Sequence, residues 1–548
     1  MSTTIVDAKP APRVGRLSRA VAWLERLADR FNPILVKETR QALKSRQFLI
    51  TFTLVLICAW LWTIIGVLWA GDDIYRWRAG PDLFAGYFMI LSFPLWVIVP
   101  FSTFRSLASE REDRTYELLA ITTLGPRQIV SGKLTSAAMQ MLVYLSSITP
   151  CLAFTYMLRG LDFPTILLMV GYAVLISMGL SLLSLLVASL STERHWQAVL
   201  MVAVVAGLIF AFFGFFSGGM AIVSEGAIPY TEPEFWQFIA GLLSAYVGYF
   251  LLFYYAAAAQ LTFASDNRST VLRVVMVGQQ LVFTGWFVWM WTRFNLSREL
   301  EVLVGYFTLV GLHWYILGAM MVGESPDLSP RVKRGLPKSH LGRMFLTWFN
   351  PGPGTAYVFA ISGYVAAMLV AIAVWAMSAV ATPGPMSPEV WHCFGYATLA
   401  FSYLVLLLGL EMLVIRWWRM VASVPQGLPP LLQCLMLLGG TLAAQVVRGS
   451  MRGQLPDFMV SDVLNPFWTL AYIGDYRGGN VVEWPAILLL VGVPALLVFL
   501  LNLGAVAREV IQVRMEAPKR VREEEAQLEA ERHPPKPRQI SPWDVVEA

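Results

Sequence analysis

The chain has 548 residues, of which 57% are apolar and only 14% are charged, and its mean hydropathy is +0.60. Soluble domains carry about 25% charged residues, so much of this surface must face lipid or other helices, and a soluble enzyme is excluded. The predicted fold class is an all-α integral membrane protein. The net charge of +5 follows from basic loops and does not predict binding to nucleic acid.

Residues 1–47 precede the first long apolar run and are predicted to form a cytoplasmic segment. Apolar residues recur at helical spacing from Leu17 to Phe31, and arginines lie mainly on the opposite side. This pattern predicts an amphipathic helix in the inner membrane interface. A soluble helix packed on the protein's own loops is the alternative. No short hydrophobic core of a cleaved signal peptide precedes Phe48.

Twelve apolar runs are long enough to cross about 30 Å of hydrocarbon. The first set of six comprises Phe48 to Ala70, Leu83 to Phe104, Ala137 to Met157, Thr165 to Leu190, Ala198 to Phe216 and Phe238 to Ala259. The second set comprises Val274 to Trp291, Val302 to Val322, Tyr357 to Ala379, Phe394 to Ile415, Leu431 to Val447 and Ala486 to Ala507. We therefore expect about twelve transmembrane helices in two sets of six.

The basic residues orient these spans. With the N-terminus inside, the inside segments carry 33 of the 41 Lys and Arg, and the outside segments carry 8. The positive-inside bias predicts that both termini are cytoplasmic and that the protein is a multi-pass component of the cell membrane. The predicted regions are 1–47, a six-helix domain at 48–264, a second six-helix region at 265–507 and a charged, partly disordered tail at 508–548.

The loop between the second and third spans, residues 105–136, is unusually long and charged. From Ser106 it reads S-L-A-S-E-R-E-D-R-T-Y-E-L-L-A-I-T-T-L-G-P-R-Q-I-V-S-G-K-L. The pattern predicts a short helix from Glu110 to Ile121, a turn at Gly125 and a new helix from Arg127. Leu118, Leu119 and Ile121 would form an apolar tip, which suits docking into a groove on a cytoplasmic partner.

This segment resembles the permease subunits of type-two ATP-binding-cassette (ABC) exporters. Those permeases carry E-x-E-x-G-T-x-E-x-L-L, then a turn of small residues, an Arg and a Gly-Lys. The matching residues are Glu110, Glu112, Thr115, Glu117, Leu118, Leu119, Pro126, Arg127, Gly132 and Lys133. Arg114 stands where the family has Gly. The stretch Asn32 to Arg40 is similar to the family's segment before its first span, so the resemblance covers about residues 32–264.

The resemblance implies a permease that couples to a separate ATPase. The residues expected to contact that partner are Glu110, Glu112, Arg114, Thr115, Glu117, Leu118, Leu119, Arg127 and Lys133. The chain has no P-loop, since Gly132-Lys133 is followed by Leu134 and the glycine spacing from Gly125 is too long. It is therefore expected not to be an enzyme and to hold no cofactor, because ATP would bind to the partner subunit. Either the chain is a pseudo-dimer with one working coupling segment, or it pairs with a second permease, which could be a second copy of itself.

No catalytic or metal site is predicted. The four cysteines are far apart with no C-x-x-C pair, and the five histidines form no cluster by spacing. Glu411 is the one acid within a predicted span, and we expect it to snorkel and pair with Arg416 and Arg419 at the inner interface. A role in transport is the alternative. Asp457 and Asp462 are the best catalytic candidates in an outside loop, where two acids are usually only solvated.

The second six helices repeat the loop lengths of the first set but lack the acidic pattern, so a degenerate duplication is one interpretation. Two functions compete with the exporter permease. One is a twelve-helix secondary carrier. The other is a membrane scaffold without transport, or an enzyme of lipid-linked substrates. The sequence does not name a substrate, although the nearly uncharged membrane interior favours amphipathic or lipid-like cargo.

Overall fold

The structure, a computed structural model, describes residues 32–71, 79–113, 124–158, 160–190, 194–224, 228–263, 265–294, 300–334, 336, 339–381, 388–422, 424, 427–451, 458–474, 484–514 and 519–532. Within these residues every regular element is helical and no strand occurs. The chain divides into two compact units. The first is Met1–Ala240 with Phe250–Leu261, and the second is Gly241–Tyr249 with Thr262–Ala548.

A short helix and six spans occupy the first half of the chain. They are α1 (Pro33–Leu43), α2 (Arg46–Ala70), α3 (Ala79–Phe93), α4 (Val99–Glu112), α5 (Pro126–Met157), α6 (Phe163–Ala188), α7 (Arg194–Ser224) and α8 (Pro233–Leu261). A π-helical turn, Pro94–Ile98, joins α3 to α4, so these two helices form one span.

Six further spans and four shorter helices follow. They are α9 (Thr270–Phe294), α10 (Leu300–Val322), α11 (Pro330–Arg334), α12 (His340–Thr347), α13 (Pro353–Ala381), α14 (Pro388–Arg419), α15 (Leu428–Ser450), α16 (Pro466–Gly474), α17 (Trp484–Arg508) and α18 (Lys519–Arg532). A 3₁₀ turn, Val460–Leu464, precedes α16, and a π-helical segment, Glu509–Arg514, follows α17.

Twelve of the described helices are long and apolar enough to cross a membrane. Each coincides with one of the twelve predicted apolar runs, in the order expected, although the fourth helix ends at Ala188, two residues before its run does. The predicted fold class is therefore confirmed: the protein is an all-α, multi-pass membrane protein of about twelve helices. Helix ends extend beyond the apolar runs because polar residues at the membrane surface continue the same helical turns.

The second span is longer than the sequence suggested. Its helix continues past Phe104 to Glu112, so Glu110 is part of that span and does not start a separate short helix. The prediction failed because Arg105 and the acids after it read as a loop, although none of them breaks a helix. The rest of the predicted short helix, residues 114–123, lies outside the described residues. So does the predicted amphipathic helix Leu17 to Phe31.

The π-helical turn fixes the second span against the fourth. Val99 donates to the Pro94 carbonyl and Pro100 has no N–H, so the Leu95 carbonyl is left for another donor. The hydroxyl of Ser177 donates to the Leu95 carbonyl. The fully buried indole of Trp96 donates to the Ala173 carbonyl at 3.0 Å. Two side-chain hydrogen bonds therefore join these spans inside the first unit.

Helix α6 presents small residues to the second span. Those that are almost completely buried recur every three or four positions: Ala173, Ser177, Ser181, Ser184 and Ala188. Small side chains let two helix backbones approach closely, which is how helices associate where lipid supplies no hydrophobic driving force. This stripe explains why α4 and α6 pack along their length.

The second unit is centred on α10, α13, α14 and α17. Tyrosines of α13 tie it to α14, since Tyr357 donates to the Val405 carbonyl at 2.9 Å and Tyr364 donates to the Ala397 carbonyl at 3.2 Å. Asn502 of α17 donates to the Gly409 carbonyl at 2.9 Å. These bonds from side chain to backbone satisfy polar groups that lipid could not.

Candidate functional site

The predicted coupling segment is attached at its base to helix α1. The carbonyl oxygen of the Asn32 side chain accepts the Ile34 N–H at 3.1 Å, and Pro33 occupies the first helical position, so the helix starts here. The amide nitrogen of the same side chain donates to the Gln128 carbonyl in α5. Helix α1 is therefore bound directly to the start of the third span.

Lys133 is the centre of an ion-pair network beneath the segment. Its side chain is 1% exposed, and Nζ lies 3.0 Å from a carboxylate oxygen of Glu38 in α1 and 3.0 Å from one of Glu110 in α4. Nζ also donates to the Ser106 hydroxyl at 3.1 Å. Lys37 pairs with Glu110 at 3.2 Å, so two cations balance two carboxylates. Three elements are thus held at one point.

Gly132 allows this approach. A Cβ atom added there would lie 2.8 Å from the Cβ of Ile34 and 2.9 Å from the side-chain nitrogen of Asn32. Both distances are shorter than real Cβ contacts, so a larger residue would push α1 away from α5. The Gly-Lys pair of the motif therefore has two separate structural roles: Gly132 admits α1, and Lys133 binds its carboxylate.

Arg111, the residue after Glu110, joins the same span to two other helices. It is buried, and its guanidinium donates to the Ser189 carbonyl at 2.7 Å and to the Gln260 carbonyl at 3.3 Å. These carbonyls lie at the C-terminal ends of α6 and α8, where the helix dipole favours a cation. The end of α4 is consequently fixed to the fourth and sixth spans.

The remaining predicted contact residues have different surroundings. The guanidinium of Arg127 lies 5.0 Å from the ring centroid of Tyr255, and its backbone carbonyl accepts from Tyr254 at 3.0 Å, so it contacts α8. Glu112 is exposed on the last turn of α4. The other five, Arg114, Thr115, Glu117, Leu118 and Leu119, lie outside the described residues. The structure therefore places Glu110, Arg127 and Lys133 among the contacts that hold the two ends of the segment. We call these contacts the mounting of the segment.

Helices α1, α4, α5, α6 and α8 thus meet at the two ends of residues 114–123. Glu110 and Arg111 lie just before this stretch, and Gln128 and Lys133 lie just after it. Buried charge pairs are costly to separate once formed, because either partner alone would be left uncompensated. The arrangement can carry a displacement of the segment to several spans together. Among the described residues, no group of acids, cysteines and histidines could hold a metal.

Glu411, in α14, differs from its prediction. It is completely buried within the second unit, and its Oε2 accepts from the Gln433 side chain at 2.6 Å. The Oε1 atom has no hydrogen-bond partner. The expected snorkelling to Arg416 and Arg419 is wrong, because α15 brings an amide close and because Arg419 donates to the carbonyls of Gly323 and Glu324.

Arg273 forms a second polar junction, one that the sequence did not reveal. Its side chain is fully buried at the start of α9 and pairs with Glu324 at 2.6 Å. It also donates to the Trp348 carbonyl at 2.7 Å. Glu324 accepts the Gly352 N–H at 2.8 Å, so the junction holds the turn that leads into α13. It joins α9, α10 and α13 much as Lys133 joins three helices in the first unit.

Asp462, a catalytic candidate of the outside loop, is engaged in structure. One carboxylate oxygen accepts from Arg448 Nε at 2.8 Å, and the other accepts the Met459 N–H at 2.8 Å. Hydrogen bonding from Arg448 lowers the pKa of Asp462. The carboxylate therefore fastens the 3₁₀ turn to the end of α15. Asp457 lies outside the described residues.

Gln279 and His313 are buried within spans and lack complete pairing. Gln279 of α9 is 4% exposed and neither atom of its amide has a partner. His313 of α10 is also buried: Nδ1 lies 3.3 Å from the Tyr249 hydroxyl, and Nε2 is unpaired. The structure therefore satisfies one of the two ring nitrogens of His313.

Sequence reasoning missed Glu38 and Arg111. Both read as surface charges of helix ends, and their partners are 95 and 78 residues away. The only available signal for Glu38 was its place in the stretch Asn32 to Arg40.

Comparison of the chain with protein-family models, with curated proteins and with solved structures gives no match.

Proposed function

We propose that the chain is the permease subunit of an ATP-driven exporter of the ABC class, and that residues 110–133 couple it to a separate ATPase. The multi-pass membrane architecture is a requirement of this function, and the resemblance of the segment to those permeases suggests the class. The fixed mounting of the segment is the observation that carries the proposal. Glu110, Arg111 and Lys133 join its two ends to α1, α6 and α8.

The mounting gives a physical route from ATP hydrolysis to transport. Closure of a partner ATPase would displace the tip at Leu118 and Leu119. Because the two ends of the segment are continuous with α4 and α5 and are paired to other helices, the displacement would move these spans as one body. Alternating access by rocking of rigid helix groups needs such a lever. ATP would bind to the partner.

The proposal is tested by purifying the chain in mild detergent and identifying any P-loop protein that co-elutes. Replacing both Leu118 and Leu119 by Ala would remove about 2 to 4 kcal/mol of buried apolar contact at most, enough to weaken association tenfold or more. Glu112→Lys would place an opposite charge on the same surface. Accumulation in the membrane should persist while ATPase association and transport fall together.

The matched control is the other long inside loop, where Lys333→Ala with Arg334→Ala should have a weaker effect. Full association and activity of the double Leu variant would contradict the coupling role. So would a double Leu variant that fails to accumulate, since that result would make the two leucines part of the protein's own fold.

A secondary carrier is the second candidate, and Glu411 is the observation that favours it. A carboxyl buried inside a span, with one oxygen unpaired, is a common mark of an ion pathway. In proteoliposomes without any ATPase, a carrier would move substrate on a proton gradient, and Glu411→Gln would abolish that movement. An exporter would require ATP and its partner, and it would retain transport with Glu411→Gln.

A further inference from the structure

A cavity of about 510 Å³ lies within the second unit, among its membrane-spanning helices. Helices α10, α14 and α16 form its walls, and Leu437 of α15 contributes one side chain. The volume falls in the usual range of small-molecule sites, about 300 to 1,000 Å³. The cavity is separate from the mounting of the coupling segment, which is in the first unit.

The cavity is elongated along the spans. In α10 the lining residues run from Val304 to Tyr315 on one face, and in α14 they run from Tyr396 to Leu407. Each run has twelve residues, and the eleven steps between its ends cover roughly 16 Å at about 1.5 Å per residue. This length is about half of the 30 Å hydrocarbon thickness of a bilayer. A long, narrow ligand therefore fits the shape better than a compact one.

The polar groups of the lining are already paired within the protein. The hydroxyls of Thr308 and Tyr396 bond each other at 2.6 Å, and Tyr403 donates to the Val463 carbonyl at 2.7 Å. Tyr315 donates to the side-chain oxygen of Gln433. A polar ligand would have to break one of these bonds in a low-dielectric site. A hydrocarbon chain would leave them all intact.

Helix α16 makes this space a defined cavity. Phe467, Leu470, Ala471 and Gly474 face it at helical spacing. The segment before α16 is packed tightly on α15, since a Cβ at Gly440 would lie 2.2 Å from the Leu464 carbonyl oxygen. The pair of Arg448 with Asp462 fixes the same turn. Specific contacts therefore hold α16 in place as a wall of the cavity.

We propose that this cavity binds one hydrocarbon chain of an amphipathic lipid, with the head group outside it. The inference does not depend on the exporter assignment, because binding is a property of the chain alone. The probe is a fatty acid with a diazirine at mid-chain, photolysed with the purified full-length protein in phosphatidylcholine nanodiscs. Mass spectrometry then locates the cross-linked residues.

Cross-links are expected in α10, α14 and α16, and unlabelled palmitate should compete while butyrate should not. Ala400→Trp fills the cavity from α14 and should abolish these cross-links. Ala471→Trp fills it from α16, and it serves if Ala400→Trp alters the elution profile of the folded protein. The matched control is Ala366→Trp, at an exposed position of α13, which should change nothing.

Tyr315 also forms one end of the cavity, so its ring should limit the chain that fits. Tyr315→Ala should move the optimum of a series of saturated competitors toward longer chains. Cross-links spread evenly over exposed faces such as that of α2, or unchanged by both filling variants, would show only bulk lipid at the surface and would overturn the proposal.

Discussion

Lys133 shows how one buried charge can organise a junction between helices. A lysine is almost never buried without partners, and here two carboxylates and a hydroxyl surround its ammonium group. Lys37 balances the charge of the network, so the contribution of the network to stability depends on all of its members being present. Replacing Lys133 should therefore affect stability much more than replacing an exposed lysine nearby.

Lys133→Met should lower the stability of the first unit by about 3 to 5 kcal/mol, because Glu38 and Glu110 would face each other without a buried cation. The measurement is the midpoint of thermal unfolding in detergent. Adding Glu38→Gln should restore part of the loss by removing one unpaired charge. Lys44→Met, at an exposed position of the same region, should leave the midpoint unchanged; an equal drop would contradict the network.

Asp462 gives a prediction about pH. Arg448 holds its pKa in the folded protein below the unfolded value of about 3.9. A lowered folded pKa stabilises the protein above the unfolded pKa, and the contribution is lost as pH falls through the folded pKa. The difference in unfolding midpoint between the wild type and Asp462→Asn should therefore be constant from about pH 7 to 5 and shrink below about pH 4.

The control for this prediction is Asp162→Asn, at an exposed position before α6, which should show a small difference at every pH. A gap between wild type and Asp462→Asn that widens in acid would mean that the carboxylate is not the stabilising partner of Arg448.

At the scale of elements, hydropathy was sufficient to find the spans. Each of the twelve runs was apolar over enough residues to cross a bilayer, and that property is local to the run. The ends of the second span were not predictable in the same way. In the part of the helix from Arg105 to Glu112, Glu110 pairs with Lys133 and Arg111 binds the C-terminal ends of two helices. Those partners are distant in sequence.

The candidate site was predicted in part for the same reason. The motif identified Glu110 and Lys133, and the structure gives them a shared ion pair. The motif could not identify Arg111 or Glu38, since nothing in the sequence distinguishes a buried charge from an exposed one at a helix end. Glu411 was placed with the wrong partners because its true neighbour, Gln433, comes from another helix.

The position of helix α1 against α5 depends on Gly132 of α5. Gly132→Ala should displace α1 from α5, because the added methyl group would overlap Ile34, at a cost of about 1 to 3 kcal/mol. Limited trypsin digestion should then cut faster at Arg40 and Lys44. Gly171→Ala in α6, where an added Cβ meets nothing within 4 Å, should digest like the wild type. Equal rates for all three proteins would show that α1 is held without this contact.

The two units share an order of packing at the scale of the whole molecule. In each, the second span packs on the third, fourth and fifth, the third packs on the first and fourth, and the fourth packs on the fifth. A duplication would produce this correspondence in packing, and it would also produce the repeated loop lengths. The units differ in their polar junctions, since Lys133 organises one and Arg273 organises the other. The junction at Lys133 adjoins the predicted coupling segment.

The orientation of all twelve spans is a prediction that one labelling experiment can check. Adding or losing one span would invert every later loop, so the distribution of 33 and 8 basic residues holds only for the correct number. The four native cysteines, none of which is in a disulfide, would first be replaced by Ala. Single cysteines at Ser224 and Ser387, in predicted outside loops, should react with an impermeant thiol reagent on intact cells. A cysteine at Ser325, exposed after α10, should react only once the cells are opened. Reaction at Ser325 in intact cells would show that the number or the direction of the preceding spans is wrong. If the direction is wrong, the predicted coupling segment would lie on the side without ATP.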